Sequence, residues 1–162
     1  FNYNHLINLN QNISFIWRNK DKETSMKTLI KLRDFCKKNR RRFYISNDFK
    51  LAKKLDADGL YISSTNRSLI FKSISHKKKF KILGSAHNFK EIKVKEFQNV
   101  SEIFLSPLFK DKKNQRLDIY KYLNLKKTTI MKDISLGGIS CKNIKRLRLI
   151  KPHGFAGISF FE

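Results

Sequence analysis

Short apolar runs alternate with amphipathic stretches along the chain. The runs are rich in β-branched and aromatic residues, which is typical of strands, and the stretches between them repeat apolar residues at helical spacing. Strands are predicted at residues 13–17, 43–45, 60–62, 80–83, 103–105, 134–136 and 155–158. Helices are predicted between most of these runs, including residues 69–74 and the stretch that follows Ser140. Regular alternation of this kind predicts parallel strands joined by crossover helices.

The parallel sheet is expected to close as a barrel. The strands are almost wholly apolar, as strands buried on both faces should be. No strand is followed by dinucleotide-binding glycines or by a P-loop, which disfavours the open sheets that carry them. The predicted fold class is therefore α/β, a parallel βα barrel of the TIM type. A complete eight-unit barrel needs roughly 200 residues or more, so residues 1–162 are expected to form a single domain that is incomplete at both ends.

Composition excludes two broad classes of protein. Hydrophobic residues make up 40% of the chain, enough to build a core, which excludes global disorder. No apolar run approaches the roughly 18 residues that cross a bilayer, so no membrane partner is expected. Two cysteines, Cys36 and Cys141, are too few for a disulfide framework and indicate a reducing compartment, the cytoplasm.

The charge is strongly positive, with 36 Lys and Arg against 13 Asp and Glu and a net charge of +23. Such a charge suits either nucleic acid or a small anionic ligand. Lys, Asn, Ile and Phe are all abundant and have codons made only of A and T, so an AT-rich genome alone would raise the lysine content. The densest basic clusters, residues 37–42 and 77–79, lie between predicted helices and strands, where loops are solvated. Nucleic acid is therefore the less favoured partner.

Polar residues follow almost every predicted strand. In parallel βα barrels the active site lies at the carboxyl ends of the strands, so these residues are expected to converge. They are Arg18 and Lys20, Asn47 and Asp48, Ser63, Ser64 and Asn66, Ser85 and His87, Ser106, Gly137 and Gly138, and Ser159. The set is rich in groups that bind anions and contains one carboxylate, which suits a phosphorylated ligand with a magnesium ion.

The Gly137-Gly138-Ile139-Ser140 element is the most informative candidate for a phosphate site. Glycines allow the backbone to come close to a ligand. A helix that begins at Ser140 would direct its free N–H groups toward the same point. The alternative is a tight turn between a strand and a helix, with no ligand.

Segments spread along nearly the whole chain resemble the motifs of thiamine phosphate synthases and their TenI relatives. The segments follow one another in the order and at the separations of that family. They are Trp17-Arg18-Asn19-Lys20-Asp21, Ile45-Ser46-Asn47-Asp48, Ala57-Asp58-Gly59-Leu60-Tyr61-Ile62, Ser85-Ala86-His87, Ser106-Pro107-Leu108-Phe109, Leu136-Gly137-Gly138-Ile139 and Gly154-Phe155-Ala156-Gly157-Ile158-Ser159.

The resemblance implies an enzyme that joins hydroxymethylpyrimidine diphosphate to thiazole phosphate, giving thiamine phosphate and pyrophosphate. It implies that a pyrimidine cation forms as pyrophosphate departs, so that catalysis depends on positioning and electrostatics. By matched position, it implies pyrophosphate contacts from Arg18, Lys20, Asn47 and Ser85, Mg²⁺ ligands at Asp48 and Asn66, and thiazole-phosphate contacts from Gly137, Gly138, Ile158 and Ser159.

The chain departs from the family pattern at several of these positions. Ile16 stands where the family has a glutamine, and Asn66 where it has a second magnesium-binding aspartate. The family's phosphate loop of two threonines and a lysine falls on Asp111-Lys112-Lys113-Asn114. The family's first strand and last helix have no counterpart, and a second subunit of a homo-oligomer is one way to cover the strand edge that this exposes.

These departures leave alternatives to the transferase open. One is a TenI-like thiazole isomerase, or a relative that binds a phosphorylated ligand without catalysis; the Ser106-Pro107 pair weakens the isomerase, which tends to carry a histidine there. A basic nucleic-acid-binding protein is less favoured. Single residues have structural alternatives too: Asp48 as a helix cap, His87 as a helix-start residue and Cys36 as part of the core.

Overall fold

The computed structural model describes residues 3–18, 24–73, 80–110 and 116–161. In these residues seven strands alternate with helices, as the sequence pattern predicts. The strands are β1 (Phe15–Trp17), β2 (Phe43–Ser46), β3 (Gly59–Ile62), β4 (Lys81–Ala86), β5 (Glu102–Leu105), β6 (Lys132–Leu136) and β7 (Gly154–Ala156). The α-helices are α1 (Tyr3–Asn8), α2 (Met26–Lys38), α3 (Phe49–Lys54), α4 (Phe89–Phe97) and α5 (Asp118–Lys126), and 3-10 helices cover Leu69–Ser73 and Ile144–Leu149.

The chain forms two compact units. The first contains residues 1–61 and 76–81, and the second contains residues 62–75 and 82–162. In the first unit β1, β2 and β3 are neighbours in chain order and run parallel, with Phe15 opposite Phe43 and Tyr44 opposite Gly59. Parallel neighbours need a crossover connection, and α2 and α3 supply it.

The second unit repeats this arrangement with β4, β5, β6 and β7, which are parallel neighbours in chain order. Leu105 of β5 lies opposite both Ala86 and Ser135, and Leu136 lies opposite Ala156. Helices α4 and α5 and the second 3-10 helix make the connections. Because the strands are parallel, the residues that follow β4, β5, β6 and β7 share one edge of this unit.

Most residues of β2, β3, β4 and β5 are buried, whereas β1 and β7 are half-buried and β6 is mixed. In the second unit Ile103 and Leu105 of β5 are fully buried against Ile92 of α4 and Tyr122 of α5. In the first unit every residue of β3 up to Tyr61 is buried. Continuous burial of this kind is expected of a parallel sheet, and it confirms the prediction made from the apolar runs.

Side-chain caps fix where two of the helices begin. Ser25 Oγ accepts a hydrogen bond from the Thr28 N–H (3.3 Å) at the start of α2. At the start of α4, Asn88 Oδ1 accepts from the Glu91 N–H (3.0 Å), and Glu91 Oε2 accepts from the His87 N–H (2.7 Å). His87 is therefore a helix-start residue. No helix of the described residues has the length and apolar composition to cross a bilayer.

The helix expected after Ser140 is shorter and of another type. Residues 141–143 form a turn, and a 3-10 helix covers Ile144–Leu149. The Ser140 carbonyl oxygen accepts a hydrogen bond from the Ile144 N–H (2.9 Å), and the Ser140 N–H donates to Asn143 Oδ1 (2.9 Å), as in a capping box. Residues 69–73 are likewise 3-10 helix. A short 3-10 helix therefore follows the glycine pair where a longer helix was expected.

One residue of the basic cluster at 37–42, Arg41, is not solvated as expected, whereas Lys37, Lys38, Arg40 and Arg42 are exposed. Arg41 is only 5% exposed, and its guanidinium donates hydrogen bonds to the carbonyl oxygens of Ile7, Leu9 and Asn10 at the end of α1. The last carbonyls of a helix have no partner within the helix. Arg41 therefore joins the end of α1 to the start of β2, and its charge serves the fold.

Candidate active site

In the first unit, polar side chains gather where β1, β2 and β3 end. Trp17 lies opposite Ile45, so Arg18 and Asn47 follow their strands at the same edge. The Arg18 guanidinium carbon lies 5.8 Å from the centre of the Tyr61 ring, and the Asn47 N–H donates to the Tyr61 carbonyl oxygen (2.8 Å). Tyr61 thus connects two of the predicted site residues, a role that the sequence alone did not indicate.

The turn after β2 places two further predicted residues. Asn47 has φ of 58°, a left-handed conformation that asparagine tolerates better than most residues. Asp48 follows in extended conformation, and its Oδ1 accepts a hydrogen bond from the Leu51 N–H (2.9 Å), which caps α3. Both side chains are exposed. The capping role of Asp48 is confirmed, and one carboxylate oxygen takes no part in that bond.

Ser85 lies inside β4, since this strand extends to Ala86. A Cβ on the preceding Gly84 would lie 3.0 Å from Lys95 of α4 and 2.9 Å from Val100. Successive strand residues point to opposite faces, so Ser85 points away from α4. It is 4% exposed, which makes it the most buried of the predicted pyrophosphate contacts that the structure describes.

The glycine pair follows β6 with positive φ at both residues, 93° at Gly137 and 66° at Gly138. The segment after β5 lies directly against it. A Cβ on Gly137 would lie 2.7 Å from Pro107, and one on Gly138 would lie 2.6 Å from the Lys110 carbonyl oxygen. The Phe109 N–H also donates to the Gly137 carbonyl oxygen (3.1 Å). Close contact with the segment after β5 therefore requires glycine at both positions, whether or not a ligand binds there.

Beside the glycine pair lies a cavity of about 240 Å³ that sequence reasoning missed. It is lined by Leu108, Phe109, Lys110, Arg116, Asp118, Ile119, Asn143 and Arg146. Asn143 also donates to the Gly138 carbonyl oxygen (2.7 Å), and the Arg146 guanidinium carbon lies 5.3 Å from the centre of the Phe109 ring. The cavity wall carries a net positive charge, because its lining contains three basic side chains and one carboxylate, that of Asp118. Nothing in the local sequence links these cations, because only the fold brings them together.

Ile158 and Ser159 lie in the turn that follows β7, and both are exposed. The Phe161 N–H donates to the Ile158 carbonyl oxygen (3.1 Å). The Phe160 and Phe161 rings pack on Phe155, with ring centres 5.2 Å and 5.8 Å away. This aromatic cluster anchors the turn to β7, at the edge that also carries the glycine pair.

Asn66 lies in the loop between β3 and the first 3-10 helix. Its N–H donates to the Ser63 carbonyl oxygen (3.1 Å), and its Oδ1 accepts from the Ser68 N–H (3.0 Å). The loop is therefore a defined turn.

Asp48 in the first unit and Asn66 in the second each present an oxygen of a kind that magnesium accepts. Mg²⁺ prefers carboxylate and carbonyl oxygens, and it is usually bound through one or two carboxylates together with substrate phosphates and water. Asp48 offers a carboxylate oxygen and Asn66 an amide oxygen. No group of three or more His, Cys, Asp or Glu able to hold a metal occurs in the described part of the chain. An all-protein metal cage is therefore not the arrangement that these residues suit.

The structure thus distributes the predicted residues over both units. Arg18, Asn47 and Asp48 belong to the first unit, where Tyr61 joins the first two. The second unit carries Asn66, Ser85, Gly137, Gly138, Ile158 and Ser159, most of them at the carboxyl ends of its strands. Lys20 and the Asp111-Lys112-Lys113-Asn114 loop lie outside the described residues.

Parallel strands, crossover helices and polar residues at the strand ends define a βα protein of the TIM type. The family model for thiamine monophosphate synthase matches residues 9–161. The chain belongs to this family, which makes it a transferase of thiamine biosynthesis. The isomerase, ligand-binding and nucleic-acid alternatives are not favoured.

Individual relatives agree with the family. A thiamine-phosphate synthase of Pelagibacter ubique (strain HTCC1062) is 30% identical over 159 residues, which cover 93% of this chain and 76% of the relative. A thiamine-phosphate synthase of Prochlorococcus marinus is 30% identical over 125 residues, which cover 72% of this chain and 35% of the relative.

Solved structures support the fold class. A thiamine phosphate pyrophosphorylase from Pyrococcus furiosus superposes with a TM-score of 0.70 at 14% identity, covering 85% of this chain and 69% of the other. A KGPDC from Streptococcus mutans superposes with a TM-score of 0.58 at 12% identity, covering 82% and 70%. The prediction of a TIM-type βα fold is confirmed.

Proposed function

We propose that the protein condenses hydroxymethylpyrimidine diphosphate with thiazole phosphate. The bond between the pyrimidine methylene carbon and the diphosphate oxygen breaks, and its electron pair leaves with pyrophosphate. The thiazole nitrogen then gives its lone pair to the methylene carbon, forming thiamine phosphate. The observation that carries the proposal is the grouping of Arg18 and Asn47 around Tyr61 at the strand edge, in a chain of this family.

Stabilisation of the leaving diphosphate is the main task of the protein in this reaction. Negative charge builds on the diphosphate as the bond breaks, so cations and N–H donors fixed beforehand lower the barrier. Arg18 is held over the Tyr61 ring, and a guanidinium forms strong paired hydrogen bonds to phosphate oxygens. Lys20 and Asn47 add donors, and the Ser85 hydroxyl serves the same group.

Magnesium is the proposed cofactor. When bound, Mg²⁺ would neutralise part of the diphosphate charge and make it a better leaving group. Asp48 would hold it through the carboxylate oxygen that does not cap α3, and Asn66 would contribute its amide oxygen. A neutral amide in the second position weakens the protein's own hold on the metal, so most of the metal's ligands would come from the diphosphate and water.

The thiazole phosphate is assigned to the edge of the second unit. Backbone N–H groups of Gly138, Ile158 and Ser159 are its proposed donors, and Gly137 shapes the turn that presents them. The cations of the neighbouring cavity, Lys110, Arg116 and Arg146, raise the local positive potential, which attracts a phosphate.

The proposed reactants also agree with the charge of the protein. Both reactants are small and anionic, which suits the net charge of +23. We propose that residues 1–162 act as one domain in the cytoplasm, with two free thiols. We further propose that a homo-oligomer is the working form.

The test is pyrophosphate release by purified protein with each reactant and Mg²⁺ omitted in turn. Release is expected only when all three are present. Arg18→Met should raise KM for the pyrimidine diphosphate about tenfold or more, the loss expected for a charge-assisted hydrogen bond. The control is Arg148→Met, which removes an exposed arginine of the second 3-10 helix. Binding of thiazole phosphate without turnover would contradict the transferase and indicate a ligand-binding relative.

A further inference from the structure

Two fully buried polar side chains of α4 and its carboxyl end act on the loop that carries Asn66. Lys95 and Gln98 are both 0% exposed. Lys95 Nζ donates to the Asn66 carbonyl oxygen (2.8 Å) and to Gln98 Oε1 (2.9 Å). Gln98 Nε2 donates to the same Asn66 oxygen (3.0 Å) and to the Ser68 carbonyl oxygen (2.8 Å). The two side chains therefore form one network that holds main-chain oxygens of the loop.

The fold makes room for this lysine. A Cβ on Gly84 of β4 would lie 3.0 Å from Lys95 Cδ, so the absence of a side chain there allows the lysine stem to lie against the strand. Burial lowers the pKa of Lys95 to about 8, an effect that nearby Glu91 partly offsets. A buried ammonium is costly, and an apolar residue would fill the same space at less cost. The Asn66 and Gln98 oxygens that accept from Lys95 Nζ offset part of this cost.

Asn66 is held on three sides as a result. Its N–H binds Ser63, its Oδ1 accepts from the Ser68 N–H, and its carbonyl oxygen accepts from Lys95 and Gln98. The Ser68 residue that orients the Asn66 amide through its N–H also has its carbonyl held by Gln98. Moving either carbonyl would move the amide oxygen of Asn66.

We propose that Lys95 and Gln98 are positioning residues that fix the Asn66 amide oxygen as a ligand of magnesium pyrophosphate. This inference rests on the proposed function, because Asn66 matters to the reaction only if it binds that group. In this proposal Lys95 does not contact substrate. Lys95 acts through the main chain of the loop, in the way that outer groups orient the ligands of a metal and govern its affinity.

The test is the affinity for Mg²⁺ and pyrophosphate, measured by calorimetry on Lys95→Met, alongside KM for thiazole phosphate. The variant should weaken magnesium-pyrophosphate binding about tenfold, the lower end for loss of an outer group, and leave KM for thiazole phosphate unchanged. Lys93→Met is the matched control, since Lys93 lies on the same helix, is 44% exposed and forms its ion pair with Glu96 (2.8 Å), away from the Asn66 loop.

A double-mutant cycle with Asn66→Ala separates positioning from general stability. If Lys95 acts through Asn66, Lys95→Met should weaken binding no further in the Asn66→Ala background. An equal loss in both backgrounds, or a lowered Tm with unchanged pyrophosphate affinity, would overturn the inference. If Lys95→Met does not fold, the same affinities are compared for Gln98→Met with and without Asn66→Ala. Absence of pyrophosphate binding by the unaltered protein would instead count against the proposed function.

Discussion

At the scale of single residues, Asp48 has a structural task and a proposed chemical task. Asp48 caps α3 with one oxygen and is proposed to hold magnesium with the other. Lys95 was not a candidate in the sequence, because lysine is expected at the surface unless it is paired. Arg41 was assigned to a solvated cluster for the same reason, yet it is buried. Residue type suggested the candidate site residues, but it could not predict charges that the fold buries.

The two tasks of Asp48 can be separated by substitution. Serine is a good helix cap without a carboxylate, so Asp48→Ser should change the free energy of unfolding by less than about 0.5 kcal/mol, whereas Asp48→Ala should cost about 1 kcal/mol. Both variants should lose most pyrophosphate release and need more Mg²⁺. Urea unfolding and the release assay measure the two effects. Full activity of Asp48→Ser would remove Asp48 from the metal site.

The two thiols should differ sharply in reactivity. Burial, reinforced by Asp58 and opposed by Arg41, raises the pKa of Cys36 to about 12, whereas Cys141 is exposed. Thiolate is the reactive form, so a disulfide reagent at pH 8 should modify one thiol quickly in folded protein and both in denaturant. In Cys141→Ser the fast phase should vanish. Two fast thiols in the folded protein would show that α2 is not packed as described.

At the scale of elements, hydrophobic periodicity predicted the strands well, because parallel strands buried on both faces leave continuous apolar runs. It did not distinguish α-helix from 3-10 helix at Leu69–Ser73 and Ile144–Leu149. Both helix types repeat apolar residues every three or four positions, so an apolar pattern does not separate them over one or two turns.

The glycine turn after β6 should be intolerant of any side chain. Gly138→Ala should destabilise the protein by about 1–2 kcal/mol from its left-handed conformation alone, and more because the new Cβ would lie 2.6 Å from a carbonyl oxygen. Gly154→Ala is the control, since its Cβ would meet only Ile134 at 4.0 Å. Urea unfolding measures both. Equal stability of the two variants would contradict the turn geometry.

Helix α5 is joined to β6 by a buried polar network. The Tyr122 hydroxyl donates to Asp133 Oδ2 (2.9 Å) and accepts from Ser135 Oγ (3.0 Å), and Lys126 pairs with the same Asp133 oxygen (3.2 Å). Tyr122→Phe leaves buried partners unsatisfied and should cost about 1–3 kcal/mol of unfolding free energy, measured by urea unfolding. Tyr120→Phe, on the same helix but 81% exposed, should cost less than about 0.5 kcal/mol.

At the scale of the whole molecule, family motifs identified the fold and the reaction because they lie at strand ends, where a parallel βα fold puts its chemistry. Residues such as Tyr61, Arg116 and Arg146 were missed because their roles follow from no motif. Tyr61 reaches Arg18 and Asn47 through the sheet register, and the two arginines meet at a cavity wall. Sequence order therefore predicted the fold and the family, whereas only three-dimensional packing shows what surrounds the candidate site residues.

The decisive measurement is a crystal structure of the complex with Mg²⁺, pyrophosphate and thiazole phosphate. We expect diphosphate oxygens within hydrogen-bond distance of Arg18 and Asn47, and thiazole phosphate on the N–H groups of Gly138 and Ser159. A diphosphate that lies away from Arg18 and Asn47 in an active, fully loaded complex would contradict this expectation.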